Sequence, residues 1–270
     1  MKKGIMLISR VITTELRKTR NTVALWLTIL YPFCTVLFAS MFHYSNRNNI
    51  TPDQVSFINN FIGMASFFLT FYAVLMISFF CQIEHRNSML KHLYALPLPR
   101  WAFYYGKLFA IILLISGACL LLIILVYISL LIMGLISPKI QITGTFAHGY
   151  LYMMVTRSLL SVLALTVIQY NLGMKIRNII SSVSIGITLI ILPVAMFFVL
   201  GITGVISNPN VLKWLPVYDP YSYPYSFVFN FSQGGPIRKE FYSNSLILWL
   251  LAAVLISILG YYESRRRNIA

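Results

Sequence analysis

The sequence predicts an all-α, polytopic membrane protein with six transmembrane helices. Three observations carry that prediction. Of the 270 residues, 59% are hydrophobic and only 10% are charged, whereas a soluble domain holds about a quarter charged residues. Several apolar runs reach the roughly 20 residues that cross the hydrocarbon of a bilayer as a helix, and none alternates with period two as a membrane barrel strand would. The net charge of +15 comes from basic residues gathered at alternate connections, as they gather in cytoplasmic loops. A nucleic-acid partner is therefore not needed to explain it.

Met1 to Thr22 is basic and amphipathic. At helical spacing Ile5, Ile8, Ile12 and Leu16 share one face, with Arg10, Thr13, Arg17 and Arg20 on the other, the pattern of a helix lying in the membrane interface. The apolar run within Met1–Arg10 is too short for a cleavable signal, so the N-terminus is expected to be retained. Glu15 falls on the apolar side, between Val11 and Ile8, one turn before Lys18. A carboxylate there needs a partner; the alternative is a surface Glu15–Lys18 pair.

The six expected spans are Val23–Phe42, Phe61–Cys81, Leu108–Ile136, Tyr150–Leu172, Ile179–Ile206 and Leu246–Tyr262. The third and fifth exceed the minimum, so they should tilt or project. Pro32 and Pro193 should kink their helices, with neighbours satisfying the freed carbonyls. Ser182 and Gly186 form a small-xxx-small pair that lets another helix approach closely.

Orientation follows from counting. Lys2, Lys3, Arg10, Arg17, Lys18, Arg20, Arg86, Lys91, Arg100, Lys107, Lys175, Arg177, Arg265, Arg266 and Arg267 are 15 of the 21 basic residues, and all fall on one side of the six-span scheme. Arg47, Lys139, Lys213, Arg238 and Lys239 fall on the other. Both termini are therefore expected in the cytoplasm. Of the outer connections, Ser207–Ser245 is the long one. Its run LPVYDPYSYPYSF (Leu215–Phe227) is rich in tyrosine and proline, which argues against one continuous helix. It reads as short interfacial or re-entrant helices over the outer mouth, or as an ordinary aromatic belt.

The chain carries no G-x-x-x-x-G-K-[ST] phosphate loop and no H-E-x-x-H, G-x-S-x-G or C-x-x-C motif. Cys34, Cys81 and Cys119 lack the spacing of a disulfide frame or metal site, and His43, His85, His92 and His148 are dispersed. No catalytic, cofactor or metal site is expected. The six acidic residues avoid the span centres, whereas ion-coupled carriers place ionisable groups near the midplane. Arg157 is the one charge inside a span: it either snorkels to the headgroups or faces the bundle, meeting an anionic substrate or a carboxylate such as Asp219.

One polar stretch, Gln82–Lys107, separates the second span from the third. On a helical wheel from Glu84 to Leu96, Met89, Leu90, Leu93, Tyr94 and Leu96 occupy one arc. Glu84, Asn87, Ser88, Lys91 and His92 occupy the other. Pro97 and Pro99 should end this helix.

With those residues in view, the sequence resembles the permease subunit of a type-2 ABC transporter, of the short six-span kind. The resemblance rests on E-L-R-K-T-R-N (Glu15–Asn21) before a first span with Tyr31-Pro32. It rests also on the Ile83–Lys107 loop, with L-P-x-x-R ending at Arg100 and a downstream Gly106-Lys107, and on the outer loop with Leu215-Pro216 and Asp219-Pro220. Span count and topology match over the whole chain. One departure is Asn87-Ser88, where many relatives have Gly-Thr.

The resemblance implies a single transmembrane domain over 1–270, with an elbow helix at 1–22, a cytoplasmic coupling helix at 84–96 and an outer loop at 207–245. Glu84, Arg86, Met89, Leu90, Leu93, Leu96 and Arg100 would meet a separate ATPase subunit, with elbow residues Glu15, Arg17 and Lys18 beside them. Arg157, Asp219 and Tyr221 would lie along the path or its outer gate. Two ATPases, which would bind ATP and Mg, and a second permease, identical or related, would complete an exporter in the plasma (inner) membrane of a prokaryote. Its cargo would be a peptide antibiotic, a drug or a lipid-like compound. The alternatives are an ATP-independent, ion-coupled carrier or membrane-embedded enzyme, and a non-transporting receptor or assembly protein.

Overall fold

A computed structural model describes residues 2–20, 22–45, 54–86, 99–136, 148–176, 178–202, 219–225 and 244–266. Seven α-helices account for nearly all of them: α1 (Lys2–Thr19), α2 (Val23–Ser45), α3 (Gln54–Arg86), α4 (Arg100–Ile136), α5 (His148–Lys175), α6 (Ile179–Ile202) and α7 (Asn244–Arg266). Among the described residues between α6 and α7 there is a 3-10 turn, Tyr223–Tyr225. Among the described residues there is no strand.

Helices α2 to α7 are each long and apolar enough to cross a membrane, so the expected six spans are found at the expected places. Their ends differ instructively. The second and third crossings belong to helices of 33 and 37 residues, about 50 and 55 Å at 1.5 Å per residue. Both exceed a hydrocarbon core of about 30 Å. The third helix begins not at Leu108 but at Arg100, directly after Pro99, whose carbonyl accepts from the Ala102 N–H at 3.0 Å. Proline suits that position because its fixed φ and missing N–H cost nothing at a helix start. Pro99 thus opens a helix; whether Pro97 ends one lies outside the described residues.

Helices α3 and α5 form the centre. Their crossing windows are 67% and 61% buried, against 17% for α6 and 11% for α7. Small and hydroxylated residues let them meet: Ser66 and Ser158 hydroxyls lie 3.1 Å apart, and Thr70, Ser161 and Thr166 are buried among apolar neighbours. Helices α2 and α4 pack on one side of the pair. Tyr31, beside Pro32, stacks on Tyr72 at 5.0 Å and donates to the Ala65 carbonyl at 3.2 Å. Leucine, isoleucine and phenylalanine side chains cover the outward faces of α2, α4, α6 and α7, as lipid contact requires.

Candidate functional site

The start of α4 is a junction. Within two turns, Arg100 to Lys107 engages four other helices. Arg100 Nη1 donates to the Arg265 carbonyl of α7 at 2.8 Å. The Tyr104 hydroxyl donates to Asn171 Oδ1 of α5 at 2.8 Å, and Tyr170 of α5 returns a bond to the Tyr104 carbonyl at 3.2 Å. The Tyr105 ring lies 5.8 Å from that of Tyr261 on α7. Gly106 receives α1: a Cβ there would sit 2.6 Å from Val11 Cγ1. Lys107 was counted with the basic connection, yet it is fully buried, its Nζ 5.4 Å from the Phe80 ring centroid of α3. That distance suits a cation–π contact. The same end, hereafter the terminal end, holds the Lys175–Glu263 pair at 2.7 Å, which ties α5 to α7.

Helix α1 lies against this junction. Its buried line is Val11, Glu15 and Thr19, one residue per turn, with Ile8, Ile12 and Leu16 half-buried and Arg10, Arg17 and Arg20 exposed. The apolar face is thus centred on Glu15 itself. Its carboxylate, 4% exposed, accepts from Lys18 Nζ at 2.6 Å, and Lys18 stays a third exposed. Lys18 is the partner that a carboxylate in that position needs, and the pair is only half a surface pair.

Of the expected coupling residues, Glu84 and Arg86 belong to the last turn of α3 and so continue a spanning helix. Arg100 opens α4. Met89, Leu90, Leu93 and Leu96 lie outside the described residues, as does most of the expected 84–96 helix.

A second cluster lies further into the bundle, around Gln169 of α5. Its Nε2 donates to Ser78 Oγ of α3 at 3.0 Å and to the Ser182 carbonyl of α6 at 3.1 Å. Its Oε1 accepts from the Tyr221 hydroxyl at 2.9 Å, and the Ser78 and Ser182 hydroxyls are 3.1 Å apart. All four side chains are buried, and together they satisfy one another, as buried polar groups must. Gly186 makes the cluster possible, since a Cβ there would strike Val74 and lie 3.0 Å from Gln169 Oε1. The small pair Ser182/Gly186 therefore does admit close neighbours, α3 and α5.

Tyr221 belongs to Asp219–Tyr225, a turn from the long connection between α6 and α7 that is inserted among the helices. Tyr221 to Tyr225 are all buried. The Tyr225 hydroxyl donates to the Ile190 carbonyl of α6 at 2.8 Å, one residue past the carbonyl that Pro193 deprives of its helical donor. Asp219 caps the turn, its Oδ2 accepting the Ser222 N–H at 2.8 Å. Burial raises the Asp219 carboxyl above its ordinary range, while the bonds from Ser222 pull it down. Arg157 is buried on α5 at 6% exposure.

Several residues that build these clusters carry no mark in the sequence. Gln169, Ser78, Tyr104 and Asn171 are polar residues of ordinary kinds inside apolar runs, and only their pairing across helices reveals them. A scan for amides within spans would have found Gln169.

A family model described as "ABC-2 family transporter protein" matches residues 11–204, from the buried face of α1 through α6. Among curated proteins nothing matches the chain significantly.

Proposed function

The chain belongs to the ABC-2 family of transporter proteins, and from that premise we propose that it is the membrane-spanning permease of an ATP-binding-cassette exporter. A separate ATPase subunit, two copies per complex, binds ATP and Mg and supplies the energy. This chain, paired with a second permease, supplies the path. The observation that carries the reading is the convergence of α1, α3, α5 and α7 on the first two turns of α4, immediately after the Glu84–Leu96 stretch. A push delivered to that stretch enters α3 at Glu84 and Arg86 and enters α4 at Arg100. From Arg100 it reaches α7 and α5 through directional bonds, and α1 through the Gly106 contact. The basic end of the bundle is its cytoplasmic side, where the ATPase works. The cargo is a peptide antibiotic, a drug or a lipid-like compound.

The test begins by finding whether a P-loop ATPase is encoded beside the permease, and co-expresses the two. Glu84→Ala and Leu93→Ala should leave membrane insertion intact while reducing co-purification of the ATPase, or its activity in the complex, several-fold. Unchanged co-purification and unchanged ATPase activity in both variants would sink the coupling role. Turnover or uptake by the permease alone would favour a carrier or enzyme instead.

A further inference from the structure

The Asp219–Tyr225 turn occupies an unexpected depth. It belongs to the connection between the far ends of α6 and α7, yet Tyr221 bonds to Gln169, six residues before the last residue of α5 at the terminal end. At 1.5 Å per residue that is about 9 Å along the helix. The hydrogen bonds of the Gln169 cluster cross between elements, and each element contributes to them: α3 by Ser78, α5 by Gln169, α6 by Ser182 and the turn by Tyr221. One turn further on, Gly173 fits against Cys81 of α3, with a Cβ there only 3.2 Å from Cys81 Cβ. Helix α6 presents Ser182, Gly186 and Ile190 inward, one per turn, and at Ile190 it is the turn's own Tyr225 that holds it. The seven-residue turn is thus bonded at one end to the central pair and at the other to α6.

We propose that Asp219–Tyr225 is a resident plug and that the Tyr221–Gln169 hydrogen bond is its latch. Displacement of α3 against α5 at the terminal end moves Ser78 and Gln169 relative to each other. The amide can keep its bond to Ser78 or its aim at Tyr221, and when it turns away from Tyr221 the plug is free to withdraw. A shift at the coupling end thereby reaches the far connection through one side chain. The proposal rests on the transporter reading, but it concerns the permease alone.

The test is amide hydrogen exchange on the purified permease in nanodiscs, followed in peptides covering 219–225. Tyr221→Phe removes only the hydroxyl. It should speed exchange there about tenfold, the opening that follows loss of one buried hydrogen bond, while the α3 and α5 amides keep their protection. Gln169→Leu, which also removes the bonds to Ser78 and Ser182, should speed exchange there at least as much, and adding Tyr221→Phe to it should speed exchange no further, because the bond that Tyr221→Phe breaks is already gone. Tyr31→Phe, which removes a hydroxyl bond elsewhere in the bundle, should leave 219–225 unchanged. Unaltered exchange in Tyr221→Phe overturns the latch, and so does equal acceleration in Tyr31→Phe. Additive effects in the double variant overturn it as well. Since no ATPase is present, these outcomes are independent of the co-purification test.

Discussion

At the scale of single residues, three glycines separate two effects that usually travel together. Replacing a helical glycine by alanine gains about 0.5 to 1 kcal/mol through reduced backbone freedom, unless the new methyl group finds its place taken. At Gly117 a Cβ would meet nothing within 4 Å. Gly117→Ala should therefore raise the melting temperature slightly. At Gly260 it would strike the Asn171 amide, the same group that Tyr104 holds. Gly186 is blocked by Val74 and Gln169. Overpacking of that kind costs about 1 to 3 kcal/mol, so Gly260→Ala and Gly186→Ala should lower it. Thermal unfolding of the detergent-solubilised protein at one fixed scan rate checks all three; a stabilised Gly260→Ala would show that α7 is not seated closely on α5. Of these positions only Gly186 was marked in advance, by its spacing from Ser182. Gly260 looks like any glycine in an apolar run until the helix facing it is known.

At the scale of elements, α7 crosses the bilayer with little burial and is fixed chiefly where it meets α4 and α5. Two bonds at that meeting point differ in kind. The Lys175–Glu263 pair is about half exposed on both sides, and such surface pairs contribute between nothing and about 1 kcal/mol. The Tyr104 hydroxyl bond to Asn171 lies deeper, between α4 and α5 beneath α7, and removing it leaves a partly buried acceptor wanting, at about 1 to 3 kcal/mol. Tyr104→Phe should therefore destabilise the protein more than Lys175→Ala does. Raising salt should erase the Lys175→Ala effect and spare the other. Melting curves at two salt concentrations decide it, and the reverse order would place the strength of the α7 joint in the ion pair. The spans themselves were legible in the sequence, with helix ends displaced by up to eight residues, because a span is announced by its own hydropathy. The joints between them were not. A tyrosine or glutamine inside an apolar run looks the same whether it meets lipid or another helix, so Tyr104 and Gln169 acquire meaning only from what faces them. Glu15 was half legible: the wheel put it on the apolar face, but not at its centre.

At the scale of the whole molecule, the contacts and the charges speak to one question from different directions. Val11 against Gly106, Arg100 on the Arg265 carbonyl and Lys175 with Glu263 bring α1, the start of α4 and the end of α7 to one end of the bundle. Both described chain ends therefore share a side, as six crossings demand. Which side it is depends on the basic residues gathered there, since positive loops are retained in the cytoplasm. The expected outcome can be read with single cysteines in a chain whose Cys34, Cys81 and Cys119 have been replaced by alanine. Gly144→Cys, in the connection between α4 and α5, should react with a membrane-impermeant maleimide in intact cells. Asn268→Cys, in the tail, should react only in inverted vesicles. Labelling of Asn268→Cys from outside would invert the protein and place the α4 junction away from ATP. The coupling role proposed for Glu84 and Arg100 would then fail, whatever the substitutions at those residues had done to assembly.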